Sequence, residues 1–180
     1  YNDKYEYILP EITYDKNLFS NYKFGKLDLQ SNFKVHNFDT NKLTSFNVND
    51  LNWSFRDINF NNGIKSKIFS EIKNINYEAK NVDIYKDEPT NELFGAVGVL
   101  SKINFQKINQ LSSHFLTPKA LIRYAPGNMR KETSGSRLNS SKAFTVNRVD
   151  NNNNFETGLS ATLGVDYKLN ANNKVFDFSV

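Results

Sequence analysis

The residues of this chain best suited to acid–base or metal chemistry are its two histidines, His36 and His114, and neither has company. They fall in different segments, and no Asp, Glu or Cys cluster flanks them, whereas a zinc site wants three or four ligands. There is no cysteine, so thiolate nucleophiles, thiolate metal sites and disulfides are excluded, and compartment cannot be read from cysteine usage. Gly95 and Gly98 lack the lysine and following helix of a phosphate-binding loop, and no G-x-S-x-G elbow occurs. Glu6 and Glu11 have a strand spacing that puts them on opposite faces, so they make no carboxylate pair. Asp166 and Lys168 share a face two residues apart and read as an ion pair on a wet surface. These features point away from catalysis and name no cofactor or metal.

The organising pattern is an alternation. In residues 155–169, Leu159, Ala161, Leu163, Val165, Tyr167 and Leu169 fall on one side, and Ser160, Thr162, Gly164, Asp166 and Lys168 on the other. Successive strand side chains point to opposite faces, so one face is apolar and one polar. The alternation holds for about eleven residues, against about 5–6 in an ordinary strand and about 9–11 in a tilted strand that crosses a bilayer.

The rest of the chain repeats it. Residues 5–14 are β-rich but hold Pro10, which suits a strand start, an edge or a bulge. Residues 17–25 read as a polar connection. In 26–37, Leu27, Leu29, Ser31, Phe33 and Val35 oppose Asp28, Gln30, Asn32, Lys34 and His36. Residues 38–43 read as a turn through Asp39, Thr40 and Asn41. Residues 44–60 change phase, as two strands or one bulged strand would. Asn61-Asn62-Gly63 is a hairpin turn. Residues 64–77 alternate with one slip. A helix over 70–79 is the weaker alternative, because the segment follows a hairpin turn. Residues 83–91 read as an exposed loop, 93–105 as a strand holding Gly95 and Gly98, and 107–113 as a loop. In 115–125, Leu116, Pro118, Ala120, Ile122 and Tyr124 are in phase. A long polar loop, 126–141, precedes a short strand at 142–148, turns at 151–154 and 170–173, and a last strand at 175–180. The expectation is all-β: an antiparallel meander of roughly eight to ten long strands.

Composition agrees with that pattern. Mean hydropathy is −0.61 over 180 residues, and no window approaches the roughly 18 apolar residues of a membrane helix. A membrane barrel stays open, because half of each of its strands faces a wet lumen. The net charge of +4 is spread along the chain. Nucleic acid would need basic clusters interleaved with aromatics, so no nucleic-acid partner is expected. No leader opens the chain and both ends are strand-like, so a fragment of something larger is expected.

Residues 115–129, FLTPKALIRYAPGNM, resemble the TPK-x-x-x-RY-x-P strand and loop of the LPS-assembly family LptD, also called OstA or Imp, through Pro118, Arg123, Tyr124 and Pro126. Arg137-Leu138, Asn147-Arg148-Val149, Glu156, the run from Gly158 to Gly164 and Asp166-Tyr167 follow in that family's order. The family usually reads NR(I/V)…EGG-x-S-x-x-L-G, and Thr157 stands here for its first glycine. Leu9-Pro10-Glu11-Ile12 and Tyr14 are similar to its LP-E-x-x-Y strand. The flavour is alphaproteobacterial.

The resemblance implies that residues 1–180 are part of a large outer-membrane β-barrel of a Gram-negative bacterium, without the periplasmic jelly-roll domain. It implies lipopolysaccharide (lipid A) as cargo, an LptE-like plug lipoprotein, a periplasmic LptA-type bridge reached through the missing domain, the barrel-assembly machinery and outer-membrane lipid as partners. No bond chemistry is implied. The family's structural cysteines are absent, so its disulfide control does not carry over. On this basis Leu159, Ala161, Leu163, Val165 and Tyr167 face lipid, while Ser160, Thr162, Asp166 and Lys168 line the lumen. Tyr124 and Tyr167 suit interfacial aromatic girdles. Loop 126–141 either faces outward or folds into the lumen. Another outer-membrane barrel (a porin or receptor) and a soluble β-sandwich binding module are the alternatives.

Overall fold

The computed structural model describes residues 6–38, 41–131, 138–171 and 174–180. Period-two alternation supplies no apolar stripe at helical spacing, and the described chain is built from strands. They are β1 (Tyr7–Asn21), β2 (Gly25–Phe38), β3 (Lys42–Ser54), β4 (Ile58–Asn59), β5 (Ile64–Lys80), β6 (Thr90–Ile103), β7 (Phe105–Ile108), β8 (Ser112–Ala125), β9 (Gly158–Ala171) and β10 (Lys174–Ser179). Seven of them run 13–17 residues, more than twice the usual length of about 5–6. There is no α-helix among the described residues, only a 3-10 turn at Ser140–Lys142, in which the Ser141 amide donates to the Asn139 side chain.

The strands form one antiparallel sheet in the order β1-β2-β3-β5-β6-β8-β9-β10, with β4 beside β5 and β7 beside β8. This is the expected meander. Its register sorts the side chains. Between β8 and β9, Tyr124 opposes Leu159, Ile122 opposes Ala161 and Pro118 opposes Val165, while Arg123 opposes Ser160, Leu121 opposes Thr162 and Lys119 opposes Gly164. Opposed residues in an antiparallel pair share a face, so one face is apolar and the other mixed. The same sorting passes to β6 and β5, where Val99 lies opposite both Ile122 and Ile68, and Gly98 opposite both Arg123 and Phe69.

The apolar face is bare. Leu93, Ile122, Leu159 and Leu163 are 61–80% exposed. The core lies on the other face, under the chain's own loops. Phe46, Val48, Ile75 and Tyr77 form one buried cluster with Tyr85 and Phe94 against it. Ala96, Ala125, Val146 and Phe155 form a second, with Phe69 and Phe94 against it. We call this the covered face.

Several local expectations are corrected. Residues 17–21 are strand, not connection: their polar side chains suit an edge ladder, and Asn17 donates to Asp28 across it at 2.9 Å. Residues 105–108 form β7, and β8 begins at Ser112, so the loop placed at 107–113 shrinks to a tight turn. Residues 142–148 are not a strand. They belong to an irregular loop whose one ladder contact is the isolated Leu138–Val149 bridge. The slip inside 64–77 is no bulge. β5 is continuous and apolar on both faces, Ile64 and Ile68 on the bare one and Phe69, Ile75 and Tyr77 on the covered one. Residues 44–60 are two strands, β3 and β4, and the register of β1 shifts between Ile8 and Glu11, around Pro10. Asp39 and Thr40, and the end of the 170–173 turn, lie outside the described residues.

Two turn glycines separate two physical demands. Gly25 and Gly63 both have positive φ, at 84° and 83°. A methyl at Gly25 would stand 2.1 Å from the Ser54 carbonyl oxygen, whereas one at Gly63 would meet nothing within 4 Å. Gly63→Ala should cost only the left-handed backbone, roughly 1–2 kcal/mol. Gly25→Ala should lower the urea midpoint clearly further. Equal shifts in the two variants would show that the Ser54 contact is not structural.

Candidate functional site

The segment at 126–157 leaves β8 at Pro126 and rejoins β9 at Gly158, whose φ is 102°. Its described part folds back onto the covered face and is held by its own asparagines. The Asn147 Oδ1 accepts from the backbone N–H groups of Val149 and Glu156 at 3.4 and 3.2 Å, and its Nδ2 donates to the Asn154 carbonyl at 3.4 Å. Asn154 in turn donates to the Arg130 carbonyl at 3.0 Å, and Met129 N–H donates to Thr157 at 3.0 Å. These bonds tie the two arms of the loop together.

Apolar knobs then enter gaps in the sheet. A side chain at Gly98 would stand 3.0 Å from Val146 Cγ1, and one at Gly164 only 2.6 Å from the Phe144 ring. Glycine inside a strand marks such close approaches. Phe155 is fully buried and stacks on Phe94, with ring centroids 5.8 Å apart. The Lys119 ammonium stands 4.4 Å over the Phe144 ring and binds Asp166 at 2.6 and 2.8 Å.

Charge fixes the loop at three points. Arg123, 1% exposed, reaches the Glu156 carboxylate at 3.2 Å, donates to the Glu156 carbonyl, and lies 3.5 Å from Ser160 Oγ. Arg148 brackets the same carboxylate: its Nε donates at 2.8 Å, a second nitrogen donates to the other oxygen, and a third meets Thr162 at 3.3 Å. One carboxylate thus sits between two guanidiniums. Burial pushes Glu156 up, but the Arg148 hydrogen bonds and both guanidinium charges win and hold it below the usual carboxylate value. Lys73 pairs with Asp50 at 2.6 Å and reaches the Asn152 carbonyl at 3.4 Å. Arg130 pairs with Glu92 and lies over the Tyr77 and Tyr85 rings, 4.9 and 5.2 Å from their centroids.

The sequence-level candidates divide accordingly. Leu159, Ala161, Leu163 and Val165 are exposed on the bare face. Tyr167 is on that face but half-buried, because its hydroxyl bonds His114 Nδ1 at 2.8 Å and its ring packs against Phe176. Ser160 and Thr162 are on the covered face, occupied by Arg123 and Arg148. The Asp166–Lys168 pair is not formed. Asp166 binds Lys119, which Phe144 already holds in place, and Lys168 is exposed toward the strand end. Of the family-motif residues, Arg123, Asn147, Arg148 and Gly164 meet at the loop–sheet interface. Pro126 and Gly158 bound the loop, and Pro118 and Tyr124 stand on the bare face. Arg137 lies outside the described residues. His36 bonds Glu6 at 2.7 Å. The roles of Lys119, Arg130, Phe144 and Phe155 carry no sequence signal of their own. Gly98 and Gly164, each inside a strand, are the visible hints of a packed loop.

The arrangement latches the loop onto the sheet. Among the described residues no three His, Cys, Asp or Glu side chains gather as metal ligands. A hollow of about 580 Å³ has an almost wholly apolar lining that includes Ile103, Pro118, Ala120, Leu163 and Val165.

Removing the Glu156 charge should undo the latch, because Arg123 would be left buried and uncompensated, a loss of roughly 3–5 kcal/mol. Glu156→Gln should raise hydrogen exchange across 142–157 well above exchange in β5. A lowered carboxyl pKa contributes stability that is complete above the unfolded value and is lost as pH falls through the folded one. Wild-type loop protection should therefore hold down to pH 4.5, the ordinary glutamate value, and decline below it. Glu156→Gln should flatten that decline, and an unchanged profile would remove Glu156 as the latch. No protein-family model matches the chain, and no curated protein matches it.

Proposed function

We propose that this chain is a segment of an LptD-type outer-membrane β-barrel, which moves lipopolysaccharide to the outer leaflet without bond chemistry. The observation that carries the proposal is the division of one long-stranded sheet into a bare, largely apolar face and a covered, mixed face. Strands of 13–17 residues exceed the roughly 9–11 that a tilted crossing needs. Monomeric soluble proteins rarely leave an apolar patch above a few hundred Å² uncovered. In this reading Leu159, Ala161, Leu163 and Val165 meet lipid, and Ser160, Thr162 and Asp166 face the lumen.

Loop lengths suggest the orientation. The longest connection, 126–157, leaves one end of the sheet, and the shorter ones at 22–24, 55–63 and 104–111 leave the other. Barrels of this class put long loops outside and short turns in the periplasm. On the bare face near the long-loop end stand Asn47, Asn49, Asn74 and Asn76, as suits strands that rise beyond the hydrocarbon. Closing the larger barrel would pair the free edges of β1 and β10 with further strands and leave no open backbone groups in lipid. The resemblance adds the cargo. Its quoted residues Arg123, Asn147, Arg148 and Gly164, dispersed in sequence, converge on one latch. An LptE-like lipoprotein in the lumen, an LptA-type bridge and the barrel-assembly machinery are the partners that follow.

Depletion of the protein in its native host should lower surface lipopolysaccharide while it accumulates at the inner membrane. The protein should also extract only with detergent and migrate differently on gels when unheated. Unchanged surface lipopolysaccharide would refute the transport role. Free solubility would refute the barrel and favour a sandwich whose second sheet covers the bare face.

A further inference from the structure

Across β5, β6 and β8 the ladder sets Lys65 opposite Lys102, and Lys102 opposite Lys119. Opposed residues share a face, with Cβ atoms about 4.5–5.5 Å apart. The face is the covered one, since Lys119 lies over Phe144 and against Asp166. Lys67, two residues along β5, points the same way. Among the described residues Asp166 is bound by Lys119, and Lys65, Lys67 and Lys102 form no ion pair. Lys65 and Lys102 are exposed.

Like charges directly opposite each other destabilise a ladder. Elsewhere the same sheet matches them: Asp50 stands opposite Lys73, and Glu11 opposite Lys34. The row is therefore an exception that an outside anion would resolve. Ammonium groups are compact point charges with three donors each, and they bind phosphate oxygens without demanding a fixed geometry. Strands about 4.8 Å apart spread three such groups over roughly 10 Å, enough for a diphosphate or for two phosphate groups on one headgroup.

We infer that Lys65, Lys102 and Lys119, with Lys67, form a binding site for the phosphate groups of a glycolipid headgroup. The site rests on the barrel proposal for its lipid, but not for its phosphate chemistry. It lies toward the end where β5 leaves the 61–63 turn, away from the long loops. Cargo entering from that end meets the lysine row first and the Phe144 tip of the latched loop next.

The test uses the full chain folded in neutral detergent micelles, with three probes: a bisphosphorylated glycolipid, its dephosphorylated form and inorganic pyrophosphate. Lys65→Gln/Lys102→Gln should weaken binding of the phosphorylated glycolipid by about tenfold or more. Lys65→Arg/Lys102→Arg should retain it, and Lys34→Gln, a lysine removed elsewhere on the face, should not alter it. The dephosphorylated form should bind weakly throughout. If the double glutamine variant binds the phosphorylated lipid as tightly as wild type, the lysine row is refuted and the transport role stands. Equal wild-type affinity for both glycolipids refutes phosphate recognition. If neither glycolipid binds but pyrophosphate does, and only with the lysines present, the phosphate site survives and the lipid cargo falls.

Discussion

A slip of one residue between β8 and β9 would exchange the two faces of the sheet. With β8 held in place, Leu159, Ala161 and Leu163 would turn toward the loop beside Arg123, and Ser160 and Thr162 would turn out among apolar side chains. Everything else depends on that register. It aligns Gly98 and Gly164 under the loop's knobs, Ser160 and Thr162 under the two guanidiniums, and Lys119 beside its lysine neighbours. The alternation makes the slip costly, because either face would receive the wrong chemistry over the full length of both strands.

The loop closes what the register opens. A sheet with one mixed face would leave Arg123, Lys73 and their neighbours solvated and would bury little. With the loop down, Phe155 and Val146 reach the sheet and Arg123 becomes almost fully buried. Burying a charge is strongly unfavourable unless it is paired, so the loop has to bring the carboxylate with it. Glu156 does this, and Arg148 holds it in place. Packing and charge are therefore one event: the apolar knobs cannot dock without the ion cluster, and the ion cluster has no reason to be dry without the knobs.

The faces were legible in the sequence wherever alternation was long, as in 26–37, 115–125 and 155–169. It failed where backbone pairing, not side-chain burial, defines the strand. Residues 17–21 are polar because β1 is an edge strand, exposed throughout, and composition there looks like a loop. It also failed for pairs distant in sequence. Asp166 chooses Lys119 over Lys168, and Arg123 chooses Glu156, through contacts that only the folded loop creates. In β5 the apolar residues on both faces mimic a phase slip, because one face packs against the loop-covered core while the other carries apolar residues in the open.

The covered face holds two regimes of charge side by side. Under the loop every strong cation is matched: Arg123 and Arg148 by Glu156, Lys73 by Asp50, Arg130 by Glu92. Beyond Phe144 the matching stops, and Lys65 and Lys102 form no ion pair among the described residues. Solvation permits the difference, since exposed ammonium groups keep their water and lose little by lacking a partner. Permission alone does not account for three lysines in one register row when Lys73 and Lys34, elsewhere on the same face, each stand opposite an acid. Lys119 belongs to both regimes, held by Asp166 and Phe144 on one side and facing Lys102 on the other. An anion on the row would compete with Asp166 for that ammonium. What the row binds and how firmly the loop's tip is held are thus coupled through one side chain, and the coupling is reciprocal.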